Sequence, residues 1–402
     1  MERIDRKKIV LSAVLMAFVL VFAACSKQAA TPTAAPSSSG AASISTTSFT
    51  SDFAAMKQLT GLASQGKGKI GVLLPETTTS ARYTAFDAPY LKKAFEAAGL
   101  KNGTDFIITN AQGSEATELT QAQSDITQGA TVLVMDPISS GVGASIESYA
   151  KSHGVKVVDY DRLTLGGSRE YVVSFDNVKV GQLIGQGFVD CVTAWNVTNP
   201  HVLVMRGAPT DNNATLFAQG YDGVLKPHFD SGAYVKVGEP AGTWDPPTAQ
   251  TNFQQQYTAH KDINAVVMPN DATATAVISA LKTLGIPAKK FPVTGQDAQL
   301  SALQNILSGY QCGTVYKPIY VEAQAAAAVA LYLRAGQTPP SALANGQSDD
   351  TTAKVQVPSV LLTPVWVTTK TMKSTVIADA FVKTSDLCTG AYATPCSQAG
   401  IS

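Results

Sequence analysis

KIGVLLP at 69–75, DFIITNA at 105–111, TVLVMDP at 131–137 and VKVVDYD at 155–161 decide the fold, and YVVSFDN at 171–177 follows as a fifth such run. Each is short, rich in β-branched residues and closed by Pro, Asn or Asp, which is how strands read. They are apolar nearly throughout rather than alternating, as strands of a sheet covered on both faces are. Longer stretches with helical spacing separate the first four. Pro89 to Ala98, for example, sets Leu91, Ala94, Phe95 and Ala98 on one face, and Gly99 supplies the stop. The alternation resumes with HVLVMRG at 201–207, YVKVGEP at 234–240, INAVVMPN at 263–270, FPVTGQD at 291–297 and CGTVYKP at 312–318. Repeated strand–helix units predict parallel sheets with helices on both faces, and two series of them predict an α/β chain of two doubly wound parallel-sheet lobes.

The chain has 402 residues, 45% of them hydrophobic and 15% charged, with a formal net charge of zero. That is ample apolar material for more than one domain. Zero net charge gives no electrostatic case for nucleic acid or for an anionic membrane surface. Arg3, Arg6, Lys7 and Lys8 precede an apolar run from Ile9 to Ala24, the pattern of a secretory signal over residues 1–24. The run is short for a membrane span. F-A-A-C at 22–25 resembles a bacterial lipobox, with Cys25 as the lipid-attachment residue, although Phe22 replaces the usual Leu or Val. From Ser26 to about Phe49 the chain is mostly Ala, Ser, Thr and Pro with almost no large apolar residue, which cannot bury enough surface to fold. The expectation is a lipid-anchored flexible tether over 25–68, leading to the first strand.

Export permits disulfides. The remaining cysteines, Cys191, Cys312, Cys388 and Cys396, allow three pairings. Cys388 and Cys396 lie close together in a tail rich in Gly, Pro and Thr, which favours that pair and leaves Cys191 with Cys312 by elimination.

In open α/β sheets, ligands bind beyond the carboxyl ends of the strands. Those positions hold Arg82 and Tyr83, Asp161 and Arg162, Asp211 to Asn213, Trp244, Asn270 and Asp271, Asp297, and Lys317. Planar Asp, Asn and Arg groups can bridge adjacent hydroxyls with paired hydrogen bonds, and Tyr and Trp can cover the C–H faces of a sugar ring. No glycine-rich phosphate cradle is present; GxxxxGK at 61–67 is followed by Gly68 where Ser or Thr is needed, and it precedes a strand. The set therefore suits an uncharged polyol. Each residue also has a plainer reading: Asp211, Asn270 and Asp271 can be helix N-caps, and Trp244 can be packing.

Several segments carry a resemblance. VVDYDRL at 157–163, SFDNVKVGQL at 174–183, GAPTDNNATLF at 207–217, LKPHFDSG at 225–232, NDATATA at 270–276, TGQDAQL at 294–300, TVYKPI at 314–319 and VPSVLLTP at 357–364 are similar to the xylose-binding branch of the type I periplasmic sugar-binding family. SARY at 80–83 resembles the S-A-R-W of related multi-sugar receptors. The resemblance runs from Lys69 to about Lys383. It implies ligand contacts from Arg82, Arg162, Asp211, Asn213, Asn270, Asp297 and Lys317, with Trp244 and Tyr83 sandwiching the ring. Tyr83 stands where the family has Trp.

The resemblance further implies a three-crossover hinge near Lys179, Lys317 and Pro364, with lobe one at 69–178 plus 318–364 and lobe two at 179–317 plus 365–402. The expected function is a monomeric, lipid-anchored substrate-binding protein on the outer face of the cytoplasmic membrane. It would close on an aldose, xylose first among them, and deliver it to an ABC permease driven by a cytoplasmic ATPase. The alternatives are a receptor that presents its closed form to a sensor or chemotaxis protein, and a receptor for glucose, galactose, arabinose or ribose. His153, His201, His228 and His260 form no recognisable nucleophile or metal arrangement, so neither an enzyme nor a cofactor or metal is expected.

Overall fold

The computed structural model describes residues 44–80 and 82–401. Among the described residues twelve strands form: β1 (Lys69–Leu74), β2 (Phe106–Asn110), β3 (Ala130–Met135), β4 (Lys156–Tyr160), β5 (Tyr171–Phe175), β6 (His201–Val204), β7 (Val235–Gly238), β8 (Ala265–Val267), β9 (Thr314–Tyr316), β10 (Gly346–Asp350), β11 (Val355–Leu362) and β12 (Val365–Val367). One sheet has seven strands in the order β10-β11-β5-β4-β3-β1-β2. Its strands pair in parallel except for the β10–β11 hairpin. A second, parallel sheet has the order β7-β6-β8, and β9 pairs antiparallel with β12.

FPVTGQD at 291–297 does not form the expected strand. It makes only isolated bridges, Val266 to Val293 and Gln296 to Val315, which stitch β8 to β9. Pro292 has no N–H to give to a ladder. Farther on, Asp297 and Ala298 take left-handed φ values of 98° and 50°, which no strand contains.

Strands β1, β3, β4 and β5 are buried almost throughout, because helices cover both faces of the large sheet. The helix Ile319–Arg334 lies on one face, burying a run of alanines from Ala325 to Ala328 that lets it approach closely. Helices Glu115–Thr127 and Ser140–Ser152 cover the other with Ala122, Ile126, Val142 and Ile146. In the helix Ala88–Ala97, Leu91, Ala94 and Phe95 are fully buried, as the spacing predicts, and Gly99 takes φ +91°. The chain passes between the two sheet systems three times, between β5 and β6, between β9 and β10, and between β11 and β12.

The tether expectation over 25–68 needs correction in its second half. Residues 44–66 fold into short helices, Ala54–Lys57 and Thr60–Gln65 among them, and pack on the large-sheet half. Ile44, Phe49, Phe53, Met56 and Leu59 are all buried in the main core. Spaced apolar residues are enough to bury an otherwise small-residue segment, and Gln324 donates to Thr50 O while Lys93 sits 4.3 Å from the Phe53 ring centre. The signal segment 1–24 and Cys25 lie outside the described residues.

Cys191 bonds Cys312 across 121 residues, and Cys388 bonds Cys396 across 8. The first bond ties the helix Asn177–Ala194 to the segment entering β9; the second closes a loop in the C-terminal segment.

Candidate functional site

The nine side chains singled out from the sequence, Arg82, Tyr83, Arg162, Asp211, Asn213, Trp244, Asn270, Asp297 and Lys317, line one cavity. Thr79, Ser80, Asp161, Phe217 and Gln296 complete the lining.

Arg82 opens the π-helical turn Tyr83–Asp87 beyond β1. Its guanidinium is saturated with carboxylates: Nε and Nη2 donate to Asp87 at 3.0 and 2.8 Å, Nη1 to Asp161 at 2.9 Å and Nη2 to Glu322 at 2.8 Å. Tyr160 donates its hydroxyl to the same Asp87. Arg82 is thus held in one pose by three carboxylates. Burial opposes ionisation of Asp161, but Arg82, Lys317 and Arg162 outweigh it and hold that carboxyl below its usual range. On Glu322 burial prevails, raising it to about 8 against the pull of Arg82. Burial likewise holds Asp136 far above the ordinary carboxyl range.

Arg162 follows β4 and reaches across to the other half. Its Nε lies 3.3 Å from Asp211 and 3.4 Å from Asp136, Nη1 donates to Pro137 O, and Nη2 donates to the Tyr83 hydroxyl at 2.7 Å. Where a Trp would offer only an N–H donor, Tyr83 offers an acceptor, and Arg162 takes it. Burial pushes the Tyr83 phenol well above 10, so it stays neutral.

The facing wall is built from helix starts. Asp211 caps the helix Asn212–Asp230 through Asn213 N at 2.8 Å and accepts from Trp244 Nε1 at 3.0 Å. Asn270 caps the helix Asp271–Thr283 through Thr273 N. The capping and cavity-lining readings both hold, because a cap sits at the strand–helix junction where the cleft lies. Asn213 donates to Asp161 O at 3.0 Å and accepts from Asn177 at 2.9 Å, joining the two halves. Gly207 underlies Trp244: any Cβ there would collide with the indole ring, so only glycine lets the ring lie over this wall.

Lys317 is buried at 2% exposure, with Asp297 at 3.2 Å and Asp161 at 3.8 Å. Both acids have left-handed backbones, at φ 98° and 61°. Such strain costs on the order of 1–3 kcal/mol and persists only where surroundings impose it. Asp271 supplies that support at Asp297. It is fully buried and accepts from Gln299 N, Gln311 Nε2 and Thr314 Oγ1, while Thr314 Oγ1 also receives Ala298 N. Sequence reasoning offered Asp271 as a strand-end candidate or a cap; it proves to be the clamp behind the Asp297 turn. Asp161 was legible as the residue after a strand, whereas Asp87, Glu322 and Asn177 carry no local signal.

Three cations and three carboxylates line the cavity, and Gln296 Oε1 and Asp297 Oδ1 are buried without a hydrogen-bond donor. Such a lining offers many acceptors and fixed donors with balanced charge, suited to a neutral molecule bearing several hydroxyls.

A model of the periplasmic binding protein domain matches residues 34–338. The chain belongs to the periplasmic binding protein family. It is 38% identical over 334 residues to the D-xylose-binding periplasmic protein of Escherichia coli K12, covering 82% of this chain and 96% of that one. It is 33% identical to a multiple sugar-binding periplasmic receptor of Rhizobium radiobacter, covering 80% and 92%. Among solved structures it resembles a carbohydrate transporter solute-binding protein of Chloroflexus aurantiacus in complex with D-glucose: TM-score 0.70, 28% identity, 79% and 97% coverage. The fold is that of the type I periplasmic binding proteins, and the family's members bind and hand over substrates rather than transform them. No described helix is long and apolar enough to cross a membrane.

Proposed function

We propose that this chain is the substrate-binding protein of an ABC sugar importer and that the cavity holds one aldose, with xylose the first candidate. The observation that carries this reading is the convergence of charged, amide and aromatic side chains from seven separate loops on one charge-balanced cavity. Arg82, Arg162, Asp211, Asn213, Asn270, Asp297 and Lys317 bond the hydroxyls, while Trp244 and Tyr83 cover the ring. Xylose leads because the relative with 38% identity is a D-xylose-binding protein.

The lobes are 69–178 with 318–364, onto which 44–66 packs, and 179–317 with 365–402. Arg162–Asp211 and Asn213–Asp161 are contacts between them, so a ligand touching both walls favours the closed arrangement. A monomer lipidated at Cys25, tethered outside the cytoplasmic membrane through the segment before residue 44, delivers sugar to a permease powered by a cytoplasmic ATPase.

Isothermal titration of the chain from Ser26 onward against xylose, glucose, galactose, arabinose and ribose tests the reading. Tight xylose binding with weak hexose binding is expected. Preference for a hexose would move the assignment to that sugar, and no heat with any of the five would overturn it.

A further inference from the structure

The C-terminal segment 372–401 lines no part of the cavity, yet it touches the turn that carries Arg82 and Tyr83. It is fastened to the small-sheet half. The helix Thr384–Leu387 packs on the helix Leu300–Leu307, Gln304 donates to Asp386 O, and Cys388–Cys396 closes the end with Leu387 and Ile401 buried. Asp379 accepts from the Tyr316 hydroxyl at 2.9 Å, one residue before Lys317. At Ala380, just before Phe381, the backbone turns through φ +53°.

Phe381 then crosses to the other half. Its ring stacks on Phe86 with centroids 4.0 Å apart and planes 14° apart, and meets Tyr316 edge-on at 4.9 Å. Phe86 belongs to the turn Tyr83–Asp87, next to the Asp87 that grips Arg82. Phe381 is buried, at 6% exposure, and Phe86 is half-buried. The stack therefore joins the two halves from outside the cavity, in the same arrangement that brings Arg162 to Asp211.

We infer that Phe381 is a latch residue: its stack on Phe86 stabilises the closed arrangement and positions the Arg82–Tyr83 turn, so the C-terminal segment sets ligand affinity without touching ligand. A contact made only in the closed arrangement adds to the affinity of any ligand that requires it. The inference rests on the receptor reading.

The test compares Phe381→Ala, Phe86→Ala and the double variant with wild type, by titration with the sugar the wild type binds and by stopped-flow tryptophan fluorescence. Each single variant should raise Kd by roughly two- to twelvefold, the worth of an aromatic pair. The change should lie in the dissociation rate, with association unaltered. The double variant should be no worse than either single one, because both remove the same contact. A general packing defect would lower stability without that rate signature or that non-additivity. Unchanged Kd, or additive losses, would overturn the latch. If Phe381→Ala fails to fold, Phe381→Leu keeps the apolar volume, and the same rate and coupling criteria decide on it. A wild type that binds none of the sugars would overturn the receptor reading instead. The latch would then be judged by small-angle scattering of the ligand-free chains: a more expanded Phe381→Ala supports it, identical curves overturn it.

Discussion

Asp297 offers the sharpest test of the cavity. Its Oδ1 lies 3.2 Å from Lys317 Nζ and has no hydrogen-bond donor, so it is free to accept a ligand hydroxyl. A hydrogen bond to a charged group contributes about 1.5–3 kcal/mol and one between neutral groups about 0.5–1.5. Asp297→Asn keeps the shape and an acceptor but loses the charge. It should cost about 1–1.5 kcal/mol of binding, a five- to twelvefold rise in Kd at about 1.4 kcal/mol per decade. Asp297→Ala strands the ligand hydroxyl and weakens the hold on Lys317, for about 2–4 kcal/mol or a roughly 30- to 1,000-fold rise. Lys317 retains Asp161 at 3.8 Å, so the loss of fold stability should stay below the roughly 3–5 kcal/mol of a fully orphaned buried charge. Titration calorimetry reads the first effect, and thermal unfolding without sugar the second. Unchanged Kd in Asp297→Ala, with unfolding unaffected, would show that this carboxylate neither meets ligand nor supports Lys317.

Three further outcomes are expected. A chain starting at Thr60 should melt several degrees below one starting at Ser26, because it loses Ile44, Phe49, Phe53, Met56 and Leu59 from the core; equal melting temperatures would restore the flexible tether. Glu118, raised from 4.5 to about 7 chiefly by burial, binds its proton more tightly folded than unfolded, so its contribution is present below pH 4.5 and is lost as pH climbs through 7. Glu118→Gln should therefore stabilise the fold by about 1–3 kcal/mol at pH 8 and hardly at all at pH 4, by denaturant unfolding; an equal effect at both would refute the cause. Cys191→Ser with Cys312→Ser opens a loop spanning 121 residues and Cys388→Ser with Cys396→Ser one spanning 8. Chain entropy then predicts losses of about 5 and 2.6 kcal/mol, checked by non-reducing denaturation curves.

The strands were readable in the sequence because apolar β-branched runs have no other use at that length, and the cavity followed because strand ends are where a parallel sheet opens. What failed to read has physical reasons. FPVTGQD has the composition of a strand, but its job is to bend: Asp271 and Thr314, placed by distant segments, force Asp297 and Ala298 into left-handed conformations that composition does not announce. Residues 44–59 looked like a tether because window averages dilute Ile44, Phe49, Phe53, Met56 and Leu59 among small residues; burial is decided residue by residue against a partner surface that is far away in sequence. The grip on Arg82 is the clearest case. Asp87 is five residues along, yet Asp161 and Glu322 arrive from 79 and 240 residues away. Local pattern names the residues that face the cavity, since each must stand at a strand end. The residues that hold them are fixed only by the fold, and they decide whether an arginine in a cleft is a solvated charge or a fixed donor.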